Sequence, residues 1–367
     1  MRRRLSGLLL LLVGAVGLAA ESDPSARFAA VRPKLGSRDK AERQEAYEAY
    51  LREGPEGRKR LAEELLAVRS AAVGACREFY LASATQEKLL TGHKKLTDAR
   101  QEALRVIFDK KIYPDADHGR VGQPVVDRAV DAVKAAYPLH RSGFVPVVRR
   151  FEKVARAYER IKEIDEPLAK CDVKDVELNP PLEKLVSSEL KPELIKVLLE
   201  LCELYGLCDR VARYNRLIRT TAAESERKVV DLTNEYRMQL GIRPLAISEP
   251  LMQAARKHSQ EMARLHYFAH ESPTPENRSP TQRCQNEGYK GFAGENCCTG
   301  GSAEGAFKGW YNSSGHHRNM LGPKHNEIGV GFGGPWTEDF GCRRDLDLDN
   351  PPQTAKPPPP KEPGKKK

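Results

Sequence analysis

Between residues 266 and 332 the chain reads His266-Tyr267-Phe268-Ala269-His270-Glu271-Ser272-Pro273, then Gly294-Glu295-Asn296-Cys297-Cys298, then Ser313-Ser314-Gly315-His316-His317-Arg318-Asn319-Met320-Leu321, then Glu327-Ile328-Gly329-Val330-Gly331-Phe332. Two amphipathic helices are predicted ahead of it. Val229, Val230, Leu232, Tyr236 and Leu240 recur at helical spacing up to Gly241, and a helix from about Pro250 carries Leu251, Ala254, Ala255, His258, Met262 and Leu265. His258 sits on the apolar face of the second helix, where a histidine reads as core. A short helix is expected to end near Trp310. The runs 327–332 and 336–341 read as strands, and His325, Asn326 and Glu327 as the approach to the first of them. The fold class is α+β for residues 222–342, preceded by an all-α region.

These residues closely resemble the CAP superfamily, the SCP-like or pathogenesis-related-1-like group that includes the cysteine-rich secretory proteins, in its bacterial secreted form. Phe-x-His-x-Ser-Pro at 268–273, Gly-Glu-Asn at 294–296, Trp-x-x-Ser-x-Gly-His at 310–316 and Glu-Ile-Gly-Val-Gly-Phe at 327–332 occur in order and at suitable separations over about a third of the chain. The resemblance implies a three-layer α-β-α sandwich with a groove that gathers His270, Glu295 and His316. Many eukaryotic members carry a second Glu where Ser313 stands here, so the cavity reduces to those three. His317 takes the place of a usual Arg and is expected at the groove's rim as a further ligand or proton carrier. The Cys297-Cys298 pair is unusual for the motif.

Two imidazoles and one carboxylate suit a divalent ion such as zinc, with a fourth position left for water. Alternatively, the histidines bond to Glu295 and stiffen a metal-free groove. His266 and His270 also have His-x-x-x-His spacing, but Tyr267 replaces the metalloprotease Glu and the helix is expected to stop near Leu265. Ser313 with His316 and Glu295 would be a nucleophile, base and acid, although a Ser just past a helix ordinarily caps or turns the chain. Gly300-Gly301-Ser302-Ala303-Glu304-Gly305 misses the nucleophile-elbow pattern by one position. The expected role is therefore binding, with an extracellular protein, glycan or envelope ligand as partner. A metal-assisted hydrolase or peptidase is the rival. Lipid carriage would need an apolar cleft that the sequence does not display.

Outward from this segment, residues 21–221 are rich in Ala, Glu, Lys, Arg and Leu. Apolar spacing in Leu61, Leu65, Val68, in Val126, Ala129, Val130, Val133 and in Leu194, Val197, Leu198, Leu201 predicts several helices. Turn signals fall at Gly54-Pro55-Glu56-Gly57, Tyr113-Pro114-Asp115 and Asn179-Pro180-Pro181. Acid pairs such as Glu63-Glu64 and Asp165-Glu166 read as solvated helix faces, and His93, His118 and His140 lack companions at ligand spacing. Residues 1–20, with Arg2, Arg3 and Arg4, an apolar stretch and Ala19-Ala20, read as a secretory signal peptide, which places the mature protein in a secreted, periplasmic or otherwise extracytoplasmic location. No later segment is long and apolar enough to span a membrane. Residues 343–367 read as a disordered Pro/Lys tail, since the composition cannot bury a core; its basic character would suit contact with anionic polymers, although a merely solvated tail is the plainer reading.

Eight cysteines in an exported chain invite disulfides. No Cys-x-x-Cys occurs, so a zinc ribbon is excluded, and pairing of Cys284 and Cys342 with Cys297 and Cys298 is the expectation for the last four. The formal net charge of +10, three units of it in the leader, is weak ground for a nucleic-acid partner, because only 7% of residues are aromatic and no basic run carries interleaved aromatics.

Overall fold

The turn signals are where the helices stop. In the computed structural model, which describes residues 24–115 and 120–353, α1 (Pro24–Val31), α2 (Lys40–Arg52), α3 (Gly54–Arg77), α4 (Ser83–Phe108), α5 (Gln123–Leu168), α6 (Leu182–Leu185) and α7 (Pro192–Leu217) fill the region read as helical. The expected leader, His118 and residues 354–367 of the expected tail lie outside the described residues. Residues 343–353, expected to be part of a disordered tail, instead pack on the second unit, because Leu348 is buried in its core and Asp349 is bonded by Arg210. Glycine 54 opens α3 at φ +68°, a conformation costly for any residue with a Cβ, and Pro55 follows within the first turn. α5 departs from expectation by running 46 residues through Pro138 and Pro146. Each proline removes one backbone bond. The stripe Val126, Val130, Val133, Phe144, Val148 and Phe151 stays buried on both sides of them, and that packing outweighs the loss.

The described residues divide into two compact units, 24–78 with 156–186 and 79–155 with 187–353. The boundary expected near 221 therefore does not mark the division: α4, the first part of α5 and α7 share a unit with the residues that follow. The first unit closes over Phe28, Tyr47, Tyr50, Leu61, Leu65, Ile164 and Leu168. Its buried Asp165 carboxylate is held by Arg69 at 2.6 Å, while Arg43 clasps Glu163 through two bonds of 2.7 and 2.6 Å.

In the second unit, α8 (Glu224–Gln239) ends where Gly241 adopts φ +76° and Ile242 N–H bonds back to Arg237 O. β1 (Ala246–Ile247), α9 (Glu249–Leu265), α10 (Pro280–Asn286), β2 (Ala293–Cys298), α11 (Ala303–Tyr311), α12 (Ser314–Met320), β3 (Glu327–Phe332) and β4 (Trp336–Gly341) complete it. The sheet order is β1-β3-β4-β2, with β1 parallel to β3 and the other pairs antiparallel. Only β3 and β4 are visible as strands in the sequence. β2 is the Gly-Glu-Asn segment itself.

Gly329 and Gly331 point at α9, and a Cβ on either would stand 2.2 Å from Leu251 C or 2.1 Å from Arg256 N, so the missing side chains let this helix lie directly on the sheet. The opposite face carries Ile328, Val330, Trp336 and Phe340 into a core with Val229, Val230, Ala306 and Trp310 of α8 and α11. Helix, sheet and helix give the expected three-layer sandwich.

Candidate functional site

Alternation along β2 decides which side chains share a face. Glu295 lies opposite Asp339 and Cys297 opposite Thr337, and these face α9 as Gly329 and Gly331 do. Asn296, Cys298 and Glu338 face the other way: Thr233 Oγ1 of α8 donates to Glu338 at 2.8 Å.

The Glu295 side chain is 1% exposed. Its Oε2 accepts from Arg283 Nη2 at 2.5 Å, and its Oε1 accepts from His270 Nδ1 at 2.8 Å. The Cys297 thiol donates to the same Oε1 at 3.5 Å, and His258 Nε2 stands 3.8 Å from it. His270 reaches this point because α9 stops at His266, which takes a left-handed φ of 56°, and the loop that follows is tied to Glu261. Tyr267 and Ser272 hydroxyls donate to Glu261 Oε2 at 2.9 and 2.7 Å. Burial alone would raise the Glu261 pKa, but these bonds hold it down at about 2. Arg283 closes the loop by donating to the carbonyls of Asn277 and His270 at 2.8 and 3.0 Å.

Two buried carboxyls on one face are driven apart. Burial pushes Glu295 up, yet the hydrogen bond from His270 and the charge of Arg283 outweigh it and leave its pKa below the ordinary value. Asp339 is 1% exposed, its Oδ1 has no hydrogen-bond partner among the described residues, and burial followed by the Glu295 charge pushes it well above the carboxylate range. Glu295 is thus the ionised member and Asp339 the protonated one. The bond to Glu295 raises His270, whose side chain remains 51% exposed at the surface, whereas burial lowers His258.

The expected trio is brought together in part. His270 and Glu295 are bonded, and His316 packs edge-on against His270 with ring centroids 6.3 Å apart. The donor atoms that lie within 4.8 Å of one another belong instead to His258, Glu295 and Cys297. His317 is not at the rim. It is fully buried, its Nε2 is 2.7 Å from the Tyr236 hydroxyl, its ring packs on Tyr311 and Tyr113, and burial pulls its pKa down to about 3. One helical step from His316 turns the side chain inward. His266 is exposed beyond the end of α9, so it shares no helical face with His270. Ser313 is the residue before α12, its side chain makes no capping bond, and no hydrogen bond to His316 is found among the described residues.

The expected disulfides are not formed: Cys284, Cys297, Cys298 and Cys342 are all unbridged. The register supplies the reason for Cys342, because β4 ends at Gly341 opposite Ala293, the far end of β2 from Cys297 and Cys298. At about 3.3 Å per residue that separation is roughly 16 Å or more, against the roughly 4.4–6.8 Å between Cα atoms that a bridge spans. Cys284 turns to Asp339 Oδ2, 3.6 Å away.

The donor types of the His258, Glu295 and Cys297 cluster suit the divalent ion that the sequence's donor set led one to expect. Zinc held by N, O and S ligands at about 2.0–2.3 Å puts those atoms roughly 3.3–3.6 Å apart. Cys297 Sγ to Glu295 Oε1 is 3.5 Å, His258 Nε2 to the same oxygen 3.8 Å and Cys297 Sγ to His270 Nδ1 3.8 Å. Arg283 occupies Oε2 and leaves Oε1 as a single ligand oxygen. His258 Nε2 stands 3.1 Å from Ala269 O and its Nδ1 3.3 Å from the Tyr267 hydroxyl, so ligation through Nε2 requires the proton on Nδ1, where that hydroxyl can accept it. Sequence reading missed Arg283, Glu261 and Cys297 as members of the site. Glu261 lies three residues after His258 on the same helix face, the one signal available in the sequence.

The family model CAP, the cysteine-rich secretory protein family, matches residues 230–339. Uncharacterized protein YkwD of Bacillus subtilis (strain 168) is 42% identical over 130 residues, 33% of this chain and 50% of the relative. Uncharacterized membrane protein YlbC of the same organism is 36% identical over 112 residues, 29% of this chain and 31% of that protein. The chain thus spans half or less of the length of these curated relatives. A crystal structure of an extracellular protein containing a SCP domain from Bacillus anthracis str. Ames is 26% identical, covers 43% of this chain and 45% of that one, and superposes with a TM-score of 0.31. Residues 230–339 are a CAP domain of the cysteine-rich secretory protein family, carried in the C-terminal part of this chain.

Proposed function

We propose that the CAP domain is an extracytoplasmic binding module whose recognition groove is built on Glu295 and opens to solvent at His270. One observation carries this reading: an ionised, almost fully buried Glu295 is fixed by Arg283 and His270, while the Ser313 side chain makes no capping bond and no hydrogen bond to a base among the described residues. Rigid polar wiring without a nucleophile and base in contact suits recognition better than hydrolysis. The groove offers a polar ligand the exposed edge of His270, with His316 beside it. His258, Glu295 and Cys297 would hold a zinc ion under that edge, and such an ion supplies a Lewis-acidic contact for a ligand carboxylate or carbonyl.

The test is zinc titration of the full chain, wild type beside His258→Ala, Cys297→Ala and His316→Ala, with folding of each checked by circular dichroism. Stoichiometric zinc lost with His258→Ala and Cys297→Ala but kept in His316→Ala supports this ligand set. Loss in His316→Ala alone moves the ion outward to the His270 and His316 pair and overturns it. No zinc in folded wild type leaves a metal-free groove, and the binding reading then stands or falls on whether His270→Ala abolishes retention of the protein on cell-envelope material.

A further inference from the structure

Four helices of the second unit meet around a cavity of about 110 Å³, lined by residues far in sequence from Glu295 and His270. Arg100 of α4, Tyr137 and Arg141 of α5, and Tyr205 and Cys208 of α7 line its polar side, and Val145, Leu204 and Met238 add apolar wall. Arg100 is fixed from behind: its Nε and Nη2 donate to the carbonyls of Gln239 and Met238 at the end of α8, at 2.8 and 3.0 Å. Those are backbone partners without formal charge, so its positive charge is unanswered, and its Nη1 donors remain. Arg141 has no carboxylate partner and no hydrogen bond among the described residues, and neither the Tyr137 nor the Tyr205 hydroxyl has a hydrogen-bond partner there. The single carboxylate on the wall, Asp209, is already bonded to Arg149 at 2.6 Å. Two uncompensated guanidinium groups and two phenolic donors converge on a recess with an apolar back.

We propose that this cavity binds a small organic oxyanion, a carboxylate or phosphate group on an apolar stem, with Arg141 and Arg100 on the oxygens and the stem against Val145, Leu204 and Met238. Guanidinium groups match such oxyanions with paired, charge-assisted bonds, and a largely apolar recess with few placed polar groups is the usual form of a small-ligand site. The site is independent of the groove reading, because it shares no residue with it.

The test is calorimetric titration of the full chain with phenyl phosphate, benzoate, inorganic phosphate and, as the charge control, benzylammonium. Wild type is expected to bind phenyl phosphate or benzoate saturably, inorganic phosphate more weakly and benzylammonium not at all, and whichever of the first two binds more tightly identifies the head group. Arg141→Ala touches an exposed residue with no bond to lose, so it is expected to fold normally and to weaken binding about tenfold or more, with Tyr205→Phe weakening it severalfold. The proposal is overturned if no anion binds saturably, if benzylammonium binds as well as the anions, if inorganic phosphate equals phenyl phosphate, or if folded Arg141→Ala binds as wild type does.

Discussion

Replacing Arg283 by Met tests the electrostatics of the groove most directly. The Arg283 side chain is 4% exposed and that of Glu295 1%, so the substitution strands a carboxylate in a place where burial is the largest influence on it. Breaking a buried ion pair from one side costs about 3–5 kcal/mol. His270 keeps its bond to Oε1, so the lower end, about 3 kcal/mol, applies at pH 7, and a unit of this size would lose roughly 6–12 °C in Tm. The pH dependence reverses sign. In wild type the Glu295 pKa is depressed in the folded state, so its stabilisation is present above the unfolded value of about 4.3 and is lost as pH falls. In Arg283→Met burial prevails, the folded pKa rises above the unfolded one, and the penalty shrinks as pH falls from 7 to 5 and the carboxyl takes up a proton. Both tryptophans, Trp310 and Trp336, are buried in the CAP domain, so urea unfolding followed by their fluorescence reports this unit. The double variant Arg283→Met/Glu295→Gln is expected to recover at least half the loss at pH 7. A single variant within about 1 kcal/mol of wild type, or a double variant no better than the single, would falsify the account of Glu295 as a buried charge held by Arg283.

Gly331→Ala would place a Cβ 2.1 Å from Arg256 N and is expected to cost at least about 3 kcal/mol in thermal unfolding, while Gly315→Ala, with open space around it, should stay within about 0.5 kcal/mol. His317→Ala removes the bond to Tyr236 and leaves a cavity, so it should cost about 2–4 kcal/mol yet leave zinc titration unchanged; an altered zinc affinity would contradict its place in the core. Ellman's reagent should label Cys342, which is exposed, in the native protein and reach Cys284 and Cys297 only on unfolding, because burial pushes both thiols far above their ordinary pKa. Glu295→Gln should lower the His270 pKa, read from its imidazole proton shifts, since the bond to that carboxylate is the largest influence raising it.

Features that depend on local periodicity were legible in the sequence. The end of α9 at His266, the stop at Gly241 and the alternation of β3 and β4 follow from residues within a few positions of one another. β2 was hidden because Glu295 and Asn296 are polar on opposite faces and both find partners inside, so the period of two carries no contrast in hydrophobicity. The inward turn of His317 and the distance of Cys342 from Cys297 were equally hidden, since one depends on which face of a seven-residue helix meets the core and the other on strand register. Resemblance supplied His270 and Glu295 as a pair. It could not supply Arg283, whose role exists only because α10 is laid beside β2.

The discontinuous make-up of the second unit bears on the order in which this chain can mature. Leu96, Val106, Ile107, Val130 and Val133 are buried against Tyr236, Leu240 and Leu321, residues that a ribosome adds more than a hundred positions after the first of them. Helices synthesised early must hold an apolar stripe in waiting while residues 156–186 complete the other unit. The same dependence runs backward: a fragment cut to begin at residue 222 would lose the helices that cover Tyr236, Leu240 and Leu321, and would be expected to self-associate through the surface so uncovered.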